Sequence, residues 1–282
     1  MKQCGTNIDD IIETIKKRTS VRTYSPRSIN PATLEAMSAF LKENTDNPFG
    51  ALVRFSVLND TQIPKFGTYG MMRGVKTYFA GCVKKGGMDL EGFGYAFERA
   101  VLFATAMGLG TCWIGGIFRR EAFYAAMRPD GEYLPAISSL GYANDKKSLI
   151  DKAVAAGAGA RNRKPFDELF FDGNFLTPLT IPDEPVSTCL EMVRLGPSAS
   201  NKQPWRVVRT ESGYHFYMKP DKRYLGNTLF GFCIQRIDMG IAACHFSLSA
   251  HELKVPGEIV IDDPMLSISD ESAGYLYSFT WR

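Results

Sequence analysis

Apolar positions along the chain recur with two periods, and the alternation of those periods predicts a mixture of helices and strands. Behind a capping Asn7, the residues Ile8, Ile11, Ile12 and Ile15 share one helical face, in a helix that runs into Lys16, Lys17 and Arg18 and stops before Ser25 and Pro26. Asn30 followed by Pro31 starts a second helix carrying Leu34, Met37 and Leu41. Residues 51–58 and 77–83 are short apolar runs of strand length, and from 94 to 108 a helix is apolar nearly all round, with Phe97, Val101, Ala104 and Met107. Such a helix belongs in a core. Gly108 and Gly110 stop it, residues 111–117 follow, and 136–142 reads as another strand. Beyond 172 the pattern repeats in kind: a helix to Arg194, a polar loop, a hairpin over 205–218, a long helix over 230–253, and strands at 258–262 and 275–281.

The two stretches read as degenerate copies, since an offset of 144 lays Phe97 on Ile241, Leu102 on Phe246 and Ala106 on Ala250. Residues 172–185, with Pro178, Pro182 and Pro185 and little periodicity, read as the linker. The expected division is therefore 1–171 and 172–282.

Composition alters this picture little. At 282 residues, 45% hydrophobic and 22% charged, the chain has ordinary globular usage and enough length for a sizeable core. A net charge of +3, with acids and bases interspersed, gives no basic face for nucleic acid or membrane. The first residues hold no apolar run of signal-peptide type, and no stretch approaches the ~18 apolar residues of a membrane span, so a cytoplasmic location is expected. Six cysteines (Cys4, Cys82, Cys112, Cys189, Cys233 and Cys244) form no CxxC pair and mostly sit in apolar runs, which suits reduced, buried thiols. His245 and His251 are off the i,i+4 spacing of a helical metal pair, and no metal site is expected. Phosphate-binding glycine loops, nucleophile elbows and zinc motifs are absent, since Gly92 and Gly94 lack the third glycine of a dinucleotide fingerprint.

Two segments carry chemistry. Residues 195–206, LGPSASNKQPWR, put small hydroxyl and amide side chains between two prolines and lead into the β-prone Val207 and Val208. Taken alone, this is a capped turn as readily as a binding loop. Residues 18–22, RTSVR, end the first helix, where basic side chains are common in any case. Together and in this order they resemble the "PSASNxQPW" and "RRSVR" segments of the FMN-dependent nitroreductase family, and the GLGTCWIGG run at 108–116 with the later LGY at 140–142 is similar to that family's second half. In ordinary members one helix separates the basic and Ser-Asn segments, whereas here most of the chain does. The resemblance is to the fused, single-chain branch of the Thermotoga type.

That resemblance implies an α+β, nitroreductase-like fold in which two degenerate halves form an intramolecular pseudo-dimer, the first keeping the basic and Gly-rich segments and the second the Ser-Asn loop. It implies an FMN-dependent oxidoreductase that takes hydride from NADH or NADPH and reduces nitroaromatic or quinone-type acceptors. Alternatives within the resemblance are a flavin-binding protein without turnover and another flavin reaction such as reductive dehalogenation. FMN needs cations for its phosphate, short polar groups for its ribityl chain and a slot for its ring. By motif match Arg18, Thr19, Ser20 and Arg22 hold phosphate and the polar ring edge, with Arg161 and Arg163 completing the clamp. Ile114, Gly115 and Gly116 bring backbone against the reactive ring nitrogen, where the lack of a side chain permits close approach. Pro197, Ser198, Ala199, Ser200, Asn201 and Gln203 cover the other ring region. No protein nucleophile is required, and the site is expected to be complete within one chain acting as a monomer.

Overall fold

The structure, a computed structural model, describes residues 8–63, 67–116, 118–144, 162–180, 185–222, 224, 231–266 and 274–282. Backbone contacts divide the chain into two compact units, Met1–Gly157 and Ala158–Arg282.

In the first unit, α1 (Ile11–Lys17) is capped by Asp10, whose carboxylate accepts the Glu13 N–H at 3.2 Å. Asn7, the expected cap, lies outside the described residues. α2 (Pro31–Glu43) begins as expected, with Asn30 accepting from the Ala32 N–H at 2.9 Å and proline at the first helical position. β1 (Val53–Asn59) and β2 (Thr77–Lys84) pair antiparallel, with Val53 opposite Val83. α3 (Asp89–Ala106), β3 (Gly110–Ile114), α4 (Arg120–Met127), β4 (Glu132–Tyr133) and β5 (Ile137–Gly141) follow, and the sheet runs β1-β2-β5-β3 with β4 beside the end of β2. Every ladder in it is antiparallel.

α3 lies against this sheet and starts earlier than its apolar run suggests, because Gly92 is a packing position within it rather than a stop. Phe93 and Phe97 are fully buried and meet Phe55, Phe79 and Trp113, with Phe97 and Trp113 ring centroids 4.3 Å apart. Each such ring contributes about 1.5–3 kcal/mol of burial. α4 was not legible as a helix, since only Phe123 and Met127 of its eight residues are buried.

The second unit contains β6 (Phe170–Asp172), α5 (Val186–Leu195), β7 (Trp205–Thr210), β8 (Gly213–Met218), α6 (Gln235–Glu252), β9 (Ile259–Val260) and β10 (Leu276–Trp281). Its sheet runs β6-β7-β8-β10-β9, with only the β6–β7 ladder parallel. Phe216 stacks on Phe279 at 4.2 Å, and Phe246 of α6 meets Tyr214, Phe216 and Trp281.

The division at 157/158 corrects the one expected at 171/172. Residues 170–172 are a strand of the second unit, and within the supposed linker Phe175 and Leu179 are buried against that unit while the Leu179 N–H bonds Phe170 O at 2.9 Å. A proline-rich composition removed the periodicity without removing the packing. No helix among the described residues is long and apolar enough to cross a membrane.

Candidate functional site

The basic segment lies along the edge of the first sheet. Ser20 bridges Thr111 in parallel, the Val21 N–H bonds Thr111 O at 2.8 Å, and Gly110 is required there because a Cβ would meet the Val21 side chain at 2.7 Å. Past that point Arg22 O accepts from the Arg73 N–H at 2.8 Å, and the Asn144 N–H reaches Thr23 O at 3.0 Å. Tyr24 then anchors the segment from below, its hydroxyl 2.7 Å from Val21 O and 2.6 Å from Ser139 Oγ. Burial pushes that phenol well above the ordinary tyrosine range, which keeps it a neutral donor. Thr19 and Ser20 are exposed, Arg22 is half-buried, and Arg18 is 9% exposed.

Arg18 and Arg22 share an unusual state. The Nε of each is closed to solvent and has no hydrogen-bond partner among the described residues, and neither guanidinium meets an acid there. A buried cation without a counter-charge costs several kcal/mol. Arg18, with the half-buried Arg22 four residues further along the same segment, fits a dianionic group such as a phosphate. β3 leads from Thr111 to Ile114 and Gly115, roughly 13 Å at about 3.3 Å per residue, so the unit sets cations and a glycine turn at two ends of one strand. Ile114 is buried, Gly115 half-buried and Gly116 exposed.

In the second unit the Ser-Asn loop links α5 to β7. Its core is a three-residue 3-10 turn, Ala199–Asn201, in which Ser200 (φ 47°), Asn201 (φ 53°) and, beyond it, Gln203 (φ 48°) all occupy the left-handed region. Non-glycine residues there cost on the order of 1–3 kcal/mol each and persist only where the surroundings over-determine them. They do so here. Ser198 Oγ accepts the Gln203 N–H at 2.9 Å, and both carboxylate oxygens of Asp238 on α6 accept the Ala199 N–H, at 3.0 and 3.2 Å. Ser200 Oγ lies 2.7 Å from the Tyr224 hydroxyl, and Lys202 pairs with Asp221 at 3.2 Å.

Arg163 is bonded to this loop. It donates through Nη1 to Asn201 Oδ1 at 2.9 Å and through Nη2 to Leu195 O at 3.0 Å, while the Lys164 N–H bonds Gln203 Oε1 at 2.8 Å and Asn201 Nδ2 bonds Asn162 O at 2.8 Å. Both terminal nitrogens of Arg163 thus help to hold the loop. Residues 162–164 and the loop line an open cleft of about 320 Å³. Arg161 lies outside the described residues. Pro197, Ser198 and Ala199 are half-buried, Ser200 is exposed, and Gln203 is buried. Sequence reasoning missed Asp238, Tyr224 and Arg120; Asp238 carried one signal, a carboxylate in the first turn of an otherwise buried helix.

The sequence matches the family described as "Putative TM nitroreductase" over residues 10–250. The chain belongs to this family. Membership makes it an oxidoreductase of the nitroreductase kind. Among solved structures, one described as a "putative nitroreductase" from Thermotoga maritima is 21% identical, with 93% of this chain and 94% of that chain covered and a TM-score of 0.61, which establishes the α+β nitroreductase fold. An FMN-dependent nitroreductase from Clostridium difficile is 20% identical over 49% of this chain and 90% of its own, with a TM-score of 0.40. A nitroreductase with bound FMN from Bacteroides fragilis is 19% identical over 51% and 92%, with a TM-score of 0.42. No curated protein matches the chain.

Five of the family member's cysteines are described; none is in a disulfide and four are buried, and burial pushes the Cys82 thiol up to about 11.

Proposed function

We propose that this nitroreductase-family protein binds FMN and uses NADH or NADPH to reduce nitroaromatic or quinone-type acceptors. The observation that carries the reading is the pair of guanidinium groups, buried Arg18 and half-buried Arg22, whose Nε atoms are closed to solvent and which meet no acid among the described residues. They would hold the FMN phosphate, with the Thr19 and Ser20 hydroxyls as short donors beside them. The glycine turn at Gly115 and Gly116 would admit the ring. When bound, FMN supplies a ring that accepts and donates hydride, so the protein's own work is to bind, orient and exclude water. Cysteines outside any disulfide suit the reducing cytoplasm, where we expect the protein to act. Each set of flavin-binding segments occurs once in the chain, so we further propose one flavin per chain and a working monomer.

The test is an FMN titration by calorimetry on the wild type and on Arg18→Met. One equivalent of FMN is expected for the wild type. The variant should lose about tenfold to a hundredfold in FMN affinity, corresponding to a charge-assisted bond of about 1.5–3 kcal/mol, with a smaller loss for riboflavin. Without flavin the variant should be more stable than the wild type by about 1 kcal/mol, since an uncompensated buried charge has gone. Equal losses for both flavins would remove Arg18 from the phosphate, and two equivalents per chain would overturn the single-site reading.

A further inference from the structure

The Gly115 turn is fixed by a residue that no flavin motif contains. Arg120 opens α4, and its guanidinium reaches back to the turn: Nη2 donates to Gly115 O at 2.6 Å and Nη1 to Leu134 O at 2.5 Å, with Pro135 O at 3.5 Å from Nη2. The same group lies over the Phe118 ring, 4.5 Å from its centroid. Burial pulls its pKa down, yet from so high an ordinary value that it stays charged. A planar cation held by carbonyls on two segments and by an aromatic face has little freedom to move.

The consequence follows from peptide geometry. A trans peptide is planar, with its C=O and N–H pointing to opposite sides. Holding Gly115 O toward Arg120 therefore turns the Gly116 N–H away from the guanidinium, toward the opposite side of the turn. No acceptor takes that N–H among the described residues, and Gly116 is exposed. Glycines would otherwise let this peptide rotate, since they tolerate both signs of φ.

We propose that Arg120 is a positioning residue that locks the plane of the 115–116 peptide, so that the Gly116 N–H is a preset hydrogen-bond donor to the edge of the flavin ring. The inference rests on the flavin reading above. A donor fixed before binding costs no reorganisation and favours whichever flavin state carries more negative charge at that edge, which raises the tendency of the flavin to be reduced. Arg120 thereby acts on the flavin's electronics without touching it.

Two readouts test this, one of them needing no flavin. The order parameter of the Gly116 N–H, from NMR relaxation on glycine-labelled apoprotein, should fall from about 0.85, the value of rigid backbone, to below about 0.6 in Arg120→Met, while Arg120→Lys, whose ammonium can keep one carbonyl, should fall between. In FMN-loaded protein Arg120→Met should change the ratio of reduced to oxidised flavin affinity about tenfold, a fall in potential of about 30 mV for a two-electron couple. Should Arg120→Met fail to fold, Gly116→Pro removes the donor with Arg120 intact and should give the same fall. Adding Arg120→Lys to Gly116→Pro should then change the potential no further. FMN uptake with an unchanged Gly116 order parameter and unchanged potential would overturn the role of Arg120 alone. Failure of the wild type to take up FMN would overturn the flavin reading, and this inference with it.

Discussion

The loops that lead into the two hairpins occupy the same place in the chain order of their units, and they are held in opposite ways. In each unit a helix (α2 or α5) precedes the loop, the hairpin follows, then an 18-residue helix (α3 or α6), and the sheet order of the hairpin and its later strands is the same, β1-β2-β5-β3 against β7-β8-β10-β9. In the first unit the loop is closed on itself by Asn47. Its amide nitrogen bonds Thr45 O and Ala51 O at 3.2 and 2.8 Å, and its oxygen accepts the Phe49 and Ala51 N–H groups at 3.2 and 3.1 Å. In the second unit the loop is opened by three left-handed residues and tied to its surroundings by Asp238 and Arg163. The first is a structural turn that satisfies its own polar groups. The second carries strain to leave short polar side chains at the surface, and such strain is a reason to look there for function.

The fourth residue of each long helix records the same divergence. In α3 it is Gly92, where a Cβ would lie 2.3 Å from the Ala51 Cβ and 2.4 Å from Asn47 Oδ1. In α6 it is Asp238, which holds the loop by a hydrogen bond. Placing the second unit's residue in the first, as Gly92→Asp, is the harshest way to test that difference. It should cost about 3–5 kcal/mol, from overpacking against a backbone-anchored methyl group and from a buried carboxylate, read as a lower urea midpoint. A cost below about 1 kcal/mol would mean that the first loop is not packed on α3 as described.

A smaller effect separates the two modes of holding. Asn47→Ala removes four hydrogen bonds from one loop and should cost about 2–3 kcal/mol of stability without change in flavin binding. Arg163→Ala removes two charge-assisted bonds from the other and should cost about 2 kcal/mol, with faster amide exchange across 199–203 and weaker FMN binding. If both variants affect flavin affinity alike, the contrast between a structural loop and a binding loop fails.

Much of this was legible beforehand, and the losses have physical causes. Asn30 with Pro31, the apolar run at 77–83 and the long, largely buried run of α6 named their elements because local preference and tertiary packing agree there. β6 and the residues around Phe175 were hidden because prolines broke the periodicity while long-range pairing with β7 supplied the structure. For the candidate site, residue types identified the RTSVR and PSASN segments, but nothing in their spacing revealed that Arg163 spends its nitrogens on the loop, or that Arg120 reaches Gly115. Those are contacts between segments, and a linear pattern does not encode them.

The smallest expected effect isolates Asp238. Burial pushes this carboxyl well above the ordinary aspartate value of 3.8, and the Ala199 N–H, which favours the ionised form, opposes that only in part. In the folded chain Asp238 therefore keeps its proton to higher pH than in the unfolded chain. The sign follows from linkage: its contribution to stability is fully present below about pH 3.8 and is lost as pH rises through the folded pKa. Asp238→Asn keeps an oxygen for the Ala199 N–H and does not titrate, so the variant should lack that loss. Unfolding free energies at pH 5 and pH 8 should show the wild type losing stability relative to the variant, with exchange protection falling in residues 199–207 and not around Asn47 in the first unit, whose equivalent helix position is Gly92. A wild type that gains stability over the variant as pH rises would show that the carboxyl is ionised and paired when folded, and that the loop is held by a charge rather than by a neutral acid.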